Sequence, residues 1–358
     1  MNYDKELYRA EQLPIFQNRM YRTQTEGKAC PKGDVILVQD MDTGLIFNRA
    51  FRPDLVQYDA DYQNEQAVSS IFKAHLENVS KIIHNNFQNY RLIEVGCGKG
   101  FFLEYLQKLG FDVFGIDPAY EGKNPYIIKK HFTLDLGLQA DGIILRHVLE
   151  HVQNPFEFLD NIRKVNNGIG KIYIEVPCLD WICSHHAWFD IFYEHVNYFR
   201  INDLIRFFGT SYEYGHLFGG QYFYIVADLS TLQKPIYDDR SHFEFPKNFL
   251  ASVDRHTNRL NDKTKTKSVI WGGASKGVIF AIFMERAGIN FDFVIDINSA
   301  KQGKYLPGTG MRVHSPEDVI SRLDTFTDIF VMNSNYLDEI RTLTNNRFSY
   351  ITVEYEKI

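Results

Sequence analysis

The sequence predicts an α/β protein with two successive units of parallel sheet covered by helices, behind a smaller mixed N-terminal region. Three observations carry this expectation. Residues 1–75 hold short strand-like pieces, Asp34-Val-Ile-Leu-Val and Gly44-Leu-Ile-Phe-Asn, without regular alternation of strand and helix. From residue 90 onward, apolar runs alternate with amphipathic helical stretches, the signature of a parallel sheet packed on both faces. A second alternating unit opens at Ser268, where an apolar run enters a Gly-rich turn.

The elements follow in order. A helix is expected over 66–85, where Val68, Phe72, Leu76, Val79 and Ile82 recur at helical spacing. Arg91-Leu-Ile-Glu-Val reads as a strand, 96–100 as a loop, and Phe102, Tyr105, Leu106 and Leu109 as a helix closed by Gly110. Residues 111–117 and Asp141-Gly-Ile-Ile-Leu-Arg are further strands, and Asn154-Pro155 reads as an N-cap with proline in the first turn. Lys171-Ile-Tyr-Ile-Glu-Val is a strand stopped by Pro177. Residues 229–267 show little periodicity and carry Pro235, Pro246 and a lysine run from Lys263, which together suggest a connection. In the last unit Val269-Ile-Trp, Phe291-Asp-Phe-Val-Ile-Asp, Asp328-Ile-Phe-Val-Met and Ser349-Tyr-Ile-Thr-Val are strands.

Composition narrows the function classes. No apolar run approaches the roughly 18 residues of a bilayer span, and the opening Met1-Asn-Tyr-Asp-Lys-Glu-Leu lacks the basic-then-apolar order of a secretion signal. A cytoplasmic protein with no membrane partner is therefore expected. A formal charge of -6 argues against nucleic acid as a partner. The four cysteines, Cys30, Cys97, Cys178 and Cys183, make neither a disulfide scaffold nor a paired metal cage. Aromatics make up 15% of the chain and concentrate at Phe47, Phe51, Tyr58 and Tyr62 and again between Trp181 and Phe199, so packing and pocket are both open readings.

The most informative local pattern is Glu94-Val-Gly96-Cys97-Gly98-Lys-Gly100 between a strand and a helix, with Asp117 closing the next strand. Glycines there allow a tight turn and close approach of a ligand to the backbone. A carboxylate at the end of the second strand can accept both hydroxyls of a ribose. A nicotinamide fingerprint would space its glycines G-x-G-x-x-G, whereas these run G-x-G-x-G with an acid two residues ahead.

That arrangement resembles motif I of class I S-adenosylmethionine (SAM) methyltransferases, and implies a Rossmann-like domain with SAM as cofactor. The resemblance implies Glu94 at the methionine amino group, Gly96, Cys97, Gly98 and Gly100 passing under the cofactor, and Asp117 on the ribose. The stretch Leu145-Arg146-His147-Val-Leu-Glu150-His151-Val-Gln-Asn-Pro155 is similar to the segment after the fourth strand in that superfamily, which adds Arg146 and His147 to the cofactor side.

A narrower resemblance is to sugar C-methyltransferases acting on nucleotide-linked keto-sugars. It rests on Glu194-His195, on Gly273-Ala-Ser275-Lys276-Gly277, and on Asp296-Ile-Asn298-Ser-Ala-Lys301-Gln-Gly303-Lys-Tyr-Leu-Pro307-Gly308-Thr309. The divisions it implies are an N-terminal substrate-binding region over 1–75, a SAM domain over 76–228, a linker or helical connection over 229–267, and a second Rossmann-like domain over 268–358. The family implies His195 as base, Glu194 orienting it, and His151 and Tyr62 lining the sugar, with Tyr193 grouped beside them. Phe192, Tyr198, Ser275, Lys276, Asn298 and Lys301 are the remaining expected substrate contacts.

Two departures from the family pattern matter. Its N-terminal region binds structural zinc through four cysteines, but only Cys30 precedes residue 90, so no metal is expected. The family's tyrosine two positions before the glutamate is Phe192 here, and a phenyl ring cannot donate to an enolate oxygen. Tyr193 is no simple replacement, because neighbouring residues point in different directions. Carbon is the expected acceptor atom, with oxygen or nitrogen as the alternative, and a SAM-binding protein without turnover is the competing class.

Overall fold

A computed structural model describes residues 6–56, 62, 67–133, 136–261 and 267–354. The N-terminal segment pairs β1 (Tyr8–Pro14), β2 (Lys32–Gln39) and β3 (Ile46–Asn48) as antiparallel neighbours. The pieces at 34–38 and 44–48 are thus strands, and β1 is an addition to what the sequence indicated. Between β1 and β2, helix α1 (Gln24–Lys28) opens on a capping box from Thr23 and Glu26.

Helix α2 (Ser70–Asn86) starts at Ser69, whose hydroxyl accepts the N–H groups of Ile71 and Phe72. It buries Phe72, Leu76, Val79 and Ile83, while Val68 lies ahead of the helix and is exposed. Strand β4 (Arg91–Val95), helix α3 (Phe101–Lys108) and strand β5 (Asp112–Ile116) follow at the expected places, then β6 (Ile127–Ile128) and β7 (Gly142–Arg146). Helix α4 (Pro155–Val165) begins after Asn154 as expected, although that side chain makes no capping bond. Strand β8 (Lys171–Pro177) completes the parallel core.

After β8 come α5 (Leu179–Ser184), the short strand β9 (Asn197–Tyr198) and α6 (Ile201–Ile205). Strand β9 leaves the central unit to pair with β3. The hairpin β10 (Ser211–Leu217) and β11 (Tyr222–Asp228) closes one edge of the central sheet. Its strand order among the described residues is β10-β11-β8-β7-β4-β5-β6, with only β11 running against the rest. The order reverses between β4 and β7, and open α/β sheets bind ligands at the carboxyl ends beside such a reversal.

Within the expected connection stands helix α7 (Ala251–Leu260), which buries Ser252 and His256. Phe243, Phe245 and Phe249 lie against one another and Phe245 and Phe249 against Tyr8, so this stretch is packed rather than loose. Tyr58 and residues 263–266 of the lysine run lie outside the described residues.

The C-terminal unit is a parallel sheet of order β14-β13-β12-β15-β16, from β12 (Ser268–Trp271), β13 (Phe293–Ile295), β14 (Val313–His314), β15 (Asp328–Val331) and β16 (Ser349–Thr352). Its helices are α8 (Ser275–Arg286), α9 (Pro316–Ile320) and α10 (Leu337–Leu343). It reverses order between β12 and β15, repeating the ligand-binding topology of the first sheet. The loop after β13 also grips the N-terminal segment: Tyr21 and Tyr305 exchange both backbone hydrogen bonds, and Gly308 N–H donates to the Gly27 carbonyl. One continuous apolar cluster runs from Leu13 and Val35 through Ile174 and Trp188 to Phe280 and Phe330. That shared core is what holds the two sheets edge to site. No helix among the described residues is long and apolar enough to cross a membrane.

Candidate active site

The glycine loop after β4 has the backbone its sequence requires. Gly96, Gly98 and Gly100 all have positive φ, at 76°, 57° and 82°. A Cβ on Gly96 would meet Val148 Cγ2 at 2.4 Å, whereas nothing lies within 4 Å of one on Gly98. The first glycine serves close packing; the second faces open space. Gly98 and Ala119 donate their N–H groups to the two carboxylate oxygens of Asp117, at 2.7 and 2.8 Å, which pins the acid at the end of β5. Cys97 contributes backbone to the loop, but its side chain is buried in the core under Gly115.

Glu94, at the end of β4, is 2% exposed and its Oε2 has no hydrogen-bond partner among the described residues. Burial pushes its carboxyl up to about 7 against the pull of Arg146. A buried acid with an orphaned oxygen at the strand end that leads into the glycine loop fits the ammonium charge of SAM. The residues present therefore suit that cofactor.

Behind this loop lies a buried ionic network. Glu175, fully buried in β8, accepts from His75 Nε2 at 2.9 Å, from Tyr173 Oη at 2.8 Å and from Arg146 Nε at 3.2 Å. Burial alone would raise the Glu175 carboxyl, but Arg146, His147 and His75 outweigh it and hold it well below the usual range. His147 adopts φ 53°, with Nε2 3.2 Å from Glu175 and Nδ1 3.4 Å from Glu150. Desolvation would lower its imidazolium, yet the two carboxylates prevail and raise it to about 9.

His147 belongs equally to a cavity of about 250 Å³ bounded by the carboxyl ends of both sheets. Pro177 and His147 come from the central sheet, and Gly272, Asn298 and Asn333 from the C-terminal one. Glu150, His151 and His195 meet on its central wall, with one ligand atom of each within 4.8 Å of the others. Among the described residues this is the one cluster spaced to hold a metal ion. His151 donates from Nδ1 to the Glu194 carbonyl at 2.8 Å, which leaves Nε2 as its acceptor nitrogen. His195 packs its ring on Phe192 at 4.1 Å and on His151 at 4.9 Å. Burial, with His151 and His147 nearby, holds the His195 imidazolium well below its ordinary range, so the ring is neutral.

The opposite wall is polar. Ser275 accepts from Asn18 Nδ2 at 2.9 Å, Lys276 pairs with Asp190 at 3.2 Å and donates to Gln221 at 3.0 Å, and Lys301 lies 3.5 Å from Asp296. Ser275, Lys276, Asn298 and Lys301, far apart in the chain from His195, all line this cavity together with Tyr62 and Phe192.

Other expected residues stand elsewhere. The Tyr193 hydroxyl accepts the Arg52 N–H at 2.9 Å and its ring stacks on Phe51, so Tyr193 braces the N-terminal segment and does not line the cavity. Tyr198 is turned inward: its hydroxyl accepts from the Phe192 N–H and donates to the Phe192 carbonyl, both at 3.0 Å. It positions Phe192 and has no donor left for a substrate. The Glu194 carboxylate accepts the Gln17 N–H at 2.9 Å and a bond from Tyr62, and its carboxyl is pushed up to about 7 by burial. Its link to the histidines runs through its backbone carbonyl to His151 rather than through its carboxylate to His195. Trp181, Trp188, Phe189 and Phe199 are buried core, so most of the aromatic surplus is packing.

Sequence reasoning did not single out Glu175, His75, Asp190 or Asn18, and gave Glu150 no role. Glu175 had a visible signal, an acid in the middle of an apolar strand. The others are brought in by tertiary folding alone.

Residues 60–211 match a family model described as a methyltransferase domain, and residues 237–348 one described as a C-methyltransferase C-terminal domain. The C-methyltransferase NovU of Streptomyces niveus is 23% identical over 288 residues, covering 70% of this chain and 67% of that protein. A mitochondrial ubiquinone biosynthesis O-methyltransferase of Dictyostelium discoideum is 29% identical over 128 residues, 28% of this chain and only 40% of that protein. Among solved structures, a SAM-dependent methyltransferase from Archaeoglobus fulgidus is 20% identical with a TM-score of 0.34, covering 45% of this chain and 95% of that one. The two models follow one another along the chain and a C-methyltransferase aligns across most of both proteins: the chain carries a methyltransferase domain followed by a C-methyltransferase C-terminal domain and is a SAM-dependent methyltransferase.

Proposed function

We propose that the protein methylates a carbon next to the ketone of a nucleotide-linked sugar, with His195 as the base. The observation that carries this reading is the placement of His195: buried, on the wall of the shared cavity, with its ring against Phe192 and His151, a setting that disfavours its charged form. A neutral imidazole in a dry pocket can take a proton from carbon once a carbonyl makes that proton acidic. SAM, when bound, supplies an electrophilic methyl group. His195 would remove the α-proton, leaving the bonding pair in an enolate, whose carbon then takes the methyl group as the carbon–sulfur bond breaks. Phe192 contributes a dry face that keeps His195 neutral. Ser275, Asn298 and the Lys276 and Lys301 ion pairs offer donors and acceptors suited to sugar hydroxyls. A reaction drawing on a nucleotide sugar and SAM belongs to carbohydrate biosynthesis in the cytoplasm, where both are made.

Phe192 also motivates a second reading, methyl transfer to oxygen or nitrogen, because it brings no hydroxyl to an enolate oxygen. The test uses SAM labelled with carbon-13 in its methyl group and a panel of nucleotide-linked keto-sugars. A product methyl bonded to carbon in the NMR correlation spectrum is the expected result, abolished in His195→Ala. A methyl bonded to oxygen would sink the carbon assignment.

A further inference from the structure

A buried carboxylate without an aligned hydrogen bond stands beside the histidine pair. Glu150 is 1% exposed, lines the cavity, and neither of its carboxylate oxygens has a hydrogen-bond partner among the described residues. His147 Nδ1, 3.4 Å from Oε1, balances its charge without the alignment of a hydrogen bond. Burying a carboxylate with both oxygens unbonded costs stability. Such an arrangement is useful where the missing donor arrives only during the reaction, as in preorganised electrostatic sites.

The positive charge that Glu150 would face is formed by the chemistry itself. When the α-proton moves from substrate carbon to His195, a C–H bond breaks, an N–H bond forms and an imidazolium appears inside a dry cavity. His151 and His147 disfavour that charge. Glu194 spends Oε2 on the Gln17 N–H and takes a further bond from Tyr62, while its Oε1 has no partner among the described residues; its hydrogen bond to the histidine pair runs through its backbone carbonyl to His151. Glu150 has an oxygen within 4.8 Å of the ring nitrogens of both His151 and His195.

We propose that Glu150 is the positioning carboxylate of this centre, acting through His151 and His195 to hold the charge of the newly protonated base. The proton then passes from His195 to water, which restores the neutral base. This inference rests on His195 being the base, and extends that reading to a residue for which the sequence pattern gave no role. The groups facing His195 are His147, Glu150 and His151 from the segment after β7, Glu194 from its own segment, Tyr62 with Arg19 beside Glu194 from the N-terminal region, and the Asp190–Lys276 pair across the cavity.

The experiment follows α-hydrogen exchange into a thymidine-diphosphate-linked keto-deoxyglucose in heavy water without SAM, together with steady-state methylation. Glu150→Gln is expected to slow exchange and kcat about 100-fold, with KM for SAM within about threefold of wild type. It also moves the acidic limb of the kcat/KM profile to lower pH, because a negative charge that favours protonated His195 is gone. Glu150→Asp keeps the charge and should recover part of the rate, and it carries the test if the glutamine variant does not fold. Unchanged exchange and an unmoved limb in a folded Glu150→Gln protein would overturn the proposal. So would activity that a chelator removes and a divalent cation restores, since the trio would then be metal ligands. A distinct result, exchange that persists in His195→Ala or is absent from wild type, removes the base reading itself.

Discussion

Glu94 shows how one residue's surroundings set its chemistry. Its sequence position, two before the first glycine, says only that an acid ends the strand; burial makes that acid half-protonated near pH 7. The ammonium of SAM favours the ionised form, so cofactor binding should strengthen as pH rises through 7. From pH 6 to 7.5 the ionised fraction of a group titrating at about 7 grows roughly eightfold, and SAM affinity by calorimetry should follow. Glu94→Gln should bind weakly and with no such slope; a slope that survives the substitution would put the titrating group elsewhere. His147 carries the opposite logic. Its imidazolium, raised to about 9, contributes stability that is present below the ordinary histidine range and is lost as pH rises through 9.

At the scale of elements, the segment after α5 decides how the histidines are held. Trp188 is fully buried, donates to Ser252 Oγ at 2.7 Å, stacks on Phe280 at 5.7 Å and packs against Phe283 at 4.7 Å. This ring fastens the segment carrying Phe192 and His195 to α8 of the C-terminal sheet. Trp188→Ala should therefore cost about 3–5 kcal/mol in a denaturant titration and lower methylation through the displaced base. A loss below about 1 kcal/mol would mean the segment is held by something else. Strands β4, β7 and β8 could be read from the sequence because strands buried on both faces are continuous apolar runs. Strand β11 is the same kind of run, though sequence reasoning did not single it out, whereas β10 alternates half-buried with exposed positions, Tyr212 and Tyr214 among the exposed. Over 229–267 the sequence leaves a linker or a helical connection open and gives helix α7 no bounds, because that helix buries only Ser252 and His256 and has too few apolar positions to show a period.

Across the whole molecule, the cavity depends on two sheets keeping their distance and orientation. One clamp is Glu339 of α10, whose carboxylate accepts from Ser69 Oγ, Ser70 N–H and Ser70 Oγ at the start of α2. Glu339→Ala should cost about 1 kcal/mol of stability, since the partners remain partly solvated. Because Glu339 also borders the cavity, acceptor KM should rise several-fold while SAM affinity stays the same. Equal loss of both affinities would show that the clamp supports the central sheet as well.

The sequence by itself determined the two parallel units and the cofactor loop, because each is written in local spacing: apolar runs, glycines that must take positive φ, and an acid at a strand end. It also marked Ser275, Lys276, Asn298 and Lys301, which do line the cavity beside His195. Only the tertiary structure decided which polar atoms are spent and which remain available. Tyr193 and Tyr198 give their hydroxyls to backbone groups, Glu194 accepts from Gln17 and Tyr62 but keeps Oε1 unbonded, and Glu150 keeps both oxygens unbonded. The reason is physical. A motif fixes residue type and order, but a side chain's direction, hydration and charge depend on neighbours that arrive from the other sheet and from the N-terminal strands.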